Sequence, residues 1–345
     1  MRLDKTFGRV YNSRHHAENT GQRPGKTWRK LKMKKILVLA LTLCLLMMST
    51  LAVAQTYTVG ICQFVQHEAL DAATKGFQDA LSAKLGDNVK FDYQTASADT
   101  ATVATIINGF VSDGVDLIMA NATPPLASAA NATSEIPILG TSITDYGTAL
   151  DIKDFNGVTG MNVSGTSDLA PLDGQADMIK EMFPEAKTVG LLYCSAEPNS
   201  LYQVKTIKPL LEGLGFATKD FAFADSNDVA SVVQSAADSV DVLYIPTDNT
   251  AASVTETIAG VVLPAKLPVV AGEEGIMNGC GVATLTISYY DIGYATGEMA
   301  YEILANGADI STMPIQMAPK FTKKYQPANC AELGIKVPEG YEAAQ

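Results

Sequence analysis

Short polar stretches follow apolar runs throughout this chain, and they carry most of the residues able to do chemistry. One set comprises Gln63, Phe64, Gln66, His67 and Glu68, then Asn121 and Thr123, then Thr141, Ser142, Asp145 and Tyr146. A second comprises Ser195, Glu197, Asn199 and Ser200, then Thr247, Asp248, Asn249 and Thr250, then Glu273 and Glu274. Catalysis asks for more than these offer. His67 is the only histidine beyond residue 54, so any Ser-His-Asp or Cys-His arrangement would have to run through it. No GxSxG or GxxxxGK(S/T) occurs, and the glycines of 157–165 lack dinucleotide-site spacing. No CxxC or His/Cys cluster offers a metal site. No catalytic residue, cofactor or metal is therefore expected.

Binding chemistry fits these residues better. Thr123 and Asn199-Ser200 stand before helical patterns, where unpaired N–H groups gather and attract a carboxylate. Asp248, with Glu273, offers negative charge to an ammonium. Phe64, Tyr146 and Tyr193 could cover an apolar or aromatic side chain. Taken singly, each residue is equally well explained as a helix cap or a solvated surface group. Their recurrence at successive strand ends supports the binding reading, with Thr141 and Ser142 as carboxylate donors and Gln63, His67, Asp145 and Asn249 as further contacts.

The elements that would position them alternate strand and helix. Residues 58–62 read as a buried strand, and Leu70, Ala73, Phe77 and Leu81 then recur at helical spacing. The unit repeats through strands near 89–93, 115–120 and 136–139, with a helix over 100–111. Residues 152–167, rich in Gly, Asn, Ser and Thr, read as a connection between domains. Alternation resumes with strands at 188–193, 216–222, 240–245, 268–271 and 282–287, and with a helix over 293–304. Such alternation predicts two α/β units with parallel sheets covered on both faces. Open parallel sheets bind ligands beyond the carboxyl ends of their strands, so two facing units would make a cleft that closes about a hinge.

Charge divides the chain. Residues 1–54 hold eleven of the 25 Lys and Arg but two of the 37 Asp and Glu, leaving 14 cations against 35 anions. So acidic a remainder repels phosphate backbones, and nucleic-acid binding is not expected. Lys34-Lys35, the apolar run 36–48 and the small-x-small Ala52-Val53-Ala54 form a signal-peptide pattern and predict export. An uncleaved anchor is the alternative, although the apolar run is short for a span. Export leaves Cys62, Cys194, Cys280 and Cys330. Cys280 with Cys330 is the first pairing to test, while Cys62 and Cys194 read as buried thiols.

Several stretches are similar to the substrate-binding proteins of bacterial ABC importers, in the group linked to tryptophan, tyrosine and related amino acids. They are VGICQFVQHEALDAATKGFQDAL at 59–81, ANATPPLASAA at 120–130, ITDYG at 143–147, LLYCSAEPNS at 191–200, YIPTDNTAAS at 244–253 and GEEGIMNGCGVATLTISYYDIGYATGEMA at 272–300. The resemblance implies a type I periplasmic-binding-protein fold: two doubly wound lobes joined by three crossovers, with a ligand closed between them. The expected division is a leader over 1–54, lobe one over 55–162 plus 288–311, and lobe two over 163–287 plus 312–345. The family pocket falls most specifically on Thr123, Asp145, Asn199, Ser200, Asp248, Asn249 and Glu273. Cys62 and Cys194 depart from the family pattern beside the pocket. The implied function is capture of a small aromatic or branched apolar amino acid by an exported monomer for a membrane permease. A sensor working with a signalling partner is the alternative, and a hydrolase using His67 is a weaker one.

Overall fold

The computed structural model describes residues 55–344. The signal-peptide pattern lies outside them. Thirteen strands occur among the described residues: β1 (Tyr57–Gln63), β2 (Val89–Thr95), β3 (Leu117–Asn121), β4 (Ile138–Ile143), β5 (Val163–Ser167), β6 (Thr188–Cys194), β7 (Ala217–Phe223), β8 (Val242–Ile245), β9 (Val269–Ala271), β10 (Ala283–Thr286), β11 (Gln316–Met317), β12 (Thr322–Tyr325) and β13 (Glu342–Ala343). One sheet runs β11-β5-β4-β3-β1-β2 and the other β13-β12-β10-β9-β8-β6-β7. Pairing is parallel except where β12 runs against β10. Both sheets are therefore doubly wound about the same order.

Apolar residues alternate across the central strands as a two-sided sheet requires. Leu117 and Met119 pack with Phe77 and Met299 on one face of the first sheet. Ile118 and Ala120 pack with Ile107 and Phe110 on the other. The Glu68–Leu85 helix covers the first face beside the Tyr289–Asn306 helix, which returns from the far end of the sequence. A Cβ built on Gly76 would lie 2.1 Å from the Tyr290 carbonyl oxygen, and one on Gly293 2.0 Å from that of Ala73. Only glycine permits that helix contact.

Two boundaries move from the sequence expectation. Val163–Ser167 pairs with β4 and completes the first sheet, so the first crossover follows Ser167 rather than preceding residue 163. Its short Ser and Thr side chains resemble loop composition, but all five residues are buried. Likewise β11 pairs with β5, so the chain returns to lobe two after Met317 rather than at residue 312. The cysteine pairing tested first is also absent, since Cys62, Cys194, Cys280 and Cys330 are all free and buried. Cys280 belongs to the core on one face of the second sheet and Cys330 to the core on the other.

Gly293→Ala should lower stability by about 1–3 kcal/mol, because the clash is with backbone that cannot move aside. The ordinary helix gain of Ala over Gly, about 1 kcal/mol, is too small to offset it. Chemical denaturation will measure the difference.

Candidate functional site

The strand ends of the two sheets face each other, and the Tyr146–Ala149 helix of lobe one touches the Pro198–Gly213 helix of lobe two. His67 Nε2 lies 3.3 Å from Asn249 Oδ1 across the cleft, and Asn278 Nδ2 donates to Glu68 Oε1 at 3.1 Å. The lobes are closed.

Lobe one contributes hydroxyls. Register places Asn121 beside Thr141, so Thr123 and Ser142 emerge together from adjacent strands. The turn is strained: Ala122 has φ 95° and ψ 162°, a region almost confined to glycine, and Ser142 has φ 57°. Thr123 opens a helix whose next two residues are Pro124 and Pro125, which carry no N–H. Thr123 therefore supplies the donors at that helix start. Its Oγ1 is buried without a hydrogen-bond partner, and so is Ser142 Oγ. Asp145 caps the following short helix by accepting from Thr148 N at 2.7 Å, and its charge reaches Tyr202 of lobe two.

Three other predicted contacts in lobe one, Thr141, Tyr146 and Gln63, make hydrogen bonds within the protein. Thr141 alternates to the opposite face, where its hydroxyl meets Thr166 Oγ1 at 3.2 Å and Thr166 meets Thr296 at 2.9 Å. Tyr146 folds beneath the sheet and donates to the carbonyls of Gly140 and Thr166, in space that two glycines, Gly140 and Gly165, leave open. Gln63 braces the first turn, donating to Val65 O and Asp71 Oδ1 and accepting from Thr74. Phe64 lines a cavity of about 220 Å³ with Ala98, Cys194, Ala196 and Val254, which spans both lobes.

Lobe two contributes carboxylates, but two of them face inward. Glu197, 1% exposed, accepts from Asn199 Nδ2, from both nitrogens of Asn249 and from the N–H and hydroxyl of Thr250. Asp248 accepts from Cys194 N, Ser200 Oγ and Ala251 N at 2.6, 2.7 and 2.8 Å. Three donors occupy most of its acceptor capacity, so the expected ammonium partner is instead the tie between β6 and β8. Ser200 is spent on the same tie. Burial, then the Glu197 charge, raises Asp248 to about 7. Asn199 keeps its Oδ1 buried and unpartnered. Glu273 caps the Glu274–Cys280 helix through Gly275 N and Ile276 N, and burial raises it to about 7.

Asp168, which sequence reasoning missed, stands at the first crossover. It is 4% exposed and receives the Tyr289 hydroxyl at 2.9 Å and a long bond from Thr144 at 3.4 Å. Burial raises it to about 6. Tyr289, at the second crossover, also feels Glu273 and reaches Thr247. Asp168 and Glu273 each accept two hydrogen bonds, fewer than Asp248 or Glu197. Reading 163–167 as a strand would have placed Asp168 at a strand end. Among the described residues no group of His, Cys, Asp and Glu is arranged to hold a metal.

The family model for ABC transporter substrate binding proteins matches residues 58–343. The chain belongs to this family. Its paired sheets and three crossovers form the type I periplasmic-binding-protein fold. A tyrosine-binding protein of Clostridioides difficile is 37% identical over 260 residues, 74% of this chain and 75% of its own. A Streptococcus pneumoniae ABC domain solved with L-Trp is 33% identical, with a TM-score of 0.79 over 83% of this chain and 97% of its own. A ligand-free, open substrate-binding protein with adhesive properties from Clostridium difficile is 36% identical, yet its TM-score is 0.64 over 84% and 99%. This binding protein is in the closed form.

Asp248→Ala should destabilise the ligand-free protein, by on the order of 3 kcal/mol, since it strands two buried N–H groups. A melting temperature equal to wild type would return its carboxylate to the ligand.

Proposed function

We propose that this protein captures an amino acid with an aromatic or branched apolar side chain outside the cytoplasm and delivers it, as a monomer, to an ABC permease. One observation carries the reading: Thr123, Ser142 and Asn199, on facing strand ends, hold buried polar atoms without partners. An unmet buried polar group costs about 1–3 kcal/mol, so three in one cleft call for a ligand that satisfies them. Thr123 and Ser142 donate to a carboxylate, aided by the helix start. Asn199 Oδ1 and Asp168 accept from the ammonium, with Glu273 close to the same hydroxyl of Tyr289. Phe64, at the cavity that spans both lobes, borders the space left to the side chain. The names of the tyrosine-binding relative and the L-Trp complex support this ligand class. Ligand bridges the lobes and is released unchanged, so product assays should recover it chemically intact.

Isothermal calorimetry against the twenty amino acids tests the proposal, and binding by no aromatic or branched member would overturn it. Asp168→Asn should weaken binding roughly tenfold to a hundredfold, the worth of a charge-assisted hydrogen bond. An ammonium favours the ionised carboxylate, so binding lowers the Asp168 pKa and expels a proton. Affinity should hold above neutral pH and decline as pH falls through about 6. Calorimetry in buffers of different ionisation enthalpy will count the protons released.

A further inference from the structure

The contact between His67 and Asn249 crosses the cleft apart from the carboxylate and ammonium positions, and its chemistry is unusually constrained. Glu197 can only accept. It holds Asn249 through the backbone N–H at 3.1 Å and Nδ2 at 2.6 Å. That fixes the amide so that Oδ1 faces lobe one, where His67 Nε2 lies 3.3 Å away. An acceptor at Oδ1 requires the hydrogen on Nε2. Nδ1 is then bare, and it is buried with no partner.

We infer that Glu197, Asn249 and His67 form a latch that holds the lobes closed only while the imidazole is neutral. A proton on Nδ1 would place an N–H in a buried position that offers no acceptor. Opening the cleft frees the ring to water, where protonation carries no such penalty. Acid therefore favours the open form. The charges that act on the ring are Glu197 from lobe two and Asp71 in the first turn of the adjoining helix, where Glu68 is next to His67 in sequence. Glu197 is already surrounded by five donors, and Glu68 is engaged by Asn278. Burial outweighs them and lowers the His67 pKa. The sign follows: the closed state keeps its full advantage above the ordinary histidine value of about 6.5 and loses it as pH falls below that value. Asn249 and Glu197 thus act as positioning residues for closure. The inference rests on the reading that the lobes close over an amino acid.

The test measures dissociation of L-tyrosine and L-tryptophan by stopped flow at pH 7.5 and 5.5, with small-angle scattering of the ligand-free protein at both. Comparison with His67→Gln separates the latch from Asp168, because glutamine keeps a neutral donor and leaves Asp168 in place. Wild type and His67→Gln should release ligand at similar rates at pH 7.5. At pH 5.5 wild type should be about fivefold faster, the worth of one lost hydrogen bond. Asn249→Ala should release fast at both pH values. The His67 proton resonance, assigned by its loss in His67→Gln, should titrate at lower pH with ligand than without. A constant ratio of wild-type to His67→Gln rates overturns the latch. Should neither amino acid bind, scattering decides the latch alone. A radius of gyration that grows with acid in wild type but not in His67→Gln sustains it, and equal curves overturn it.

Discussion

A carboxylate buried at the end of a parallel strand has to be surrounded by donors, and Glu197 is where this protein meets that demand. Its two oxygens collect the backbone N–H groups of Asn249 and Thr250 and three side-chain donors, so the loop after β6 and the loop after β8 become one rigid body. Asp248 repeats the tie from the other side. Two neighbouring acids at this depth repel each other, which is why each needs so complete a shell. Once the wall is fixed, the side chains left facing the cleft have little freedom, and Asn199 is held with an unused carbonyl.

The opposite wall is built by other means. Apart from Asp168 at the first crossover, lobe one places no buried acid beside Thr123 and Ser142. It relies on backbone forced into left-handed and glycine-like regions at Ala122 and Ser142. Hydroxyl donors on one side and carboxylates on the other give the cleft a direction. Asp168 and Tyr289 sit on two different crossovers, and one hydrogen bond joins them.

The fold was legible because its strands carry the signature of burial on both faces: unbroken apolar runs followed by helical spacing. Val163–Ser167 escaped because a strand made of Val, Ser, Gly and Thr has the composition of a loop, and only the pairing with β4 reveals it. The site was legible as a set of loops but not as a set of roles. Sequence places Asp248 at a strand end, yet cannot tell that its oxygens are consumed by Cys194, Ser200 and Ala251. Thr141 and Ser142 are adjacent and chemically alike, and alternation sends one into the sheet interior and leaves the other in the cleft. Tyr146 follows the same logic, since the glycines that make room for it lie in two different strands.

The close contact between the Glu68–Leu85 and Tyr289–Asn306 helices has a temporal consequence. The two partners are separated by roughly two hundred residues, most of lobe two among them. At ordinary synthesis rates of about 5–20 residues per second, the second helix follows the first by on the order of 10–40 s. Until then one face of the first sheet lacks part of its cover, and Met299 and Ala300 are missing from its core. A chain wired this way completes the core of its first lobe late in synthesis.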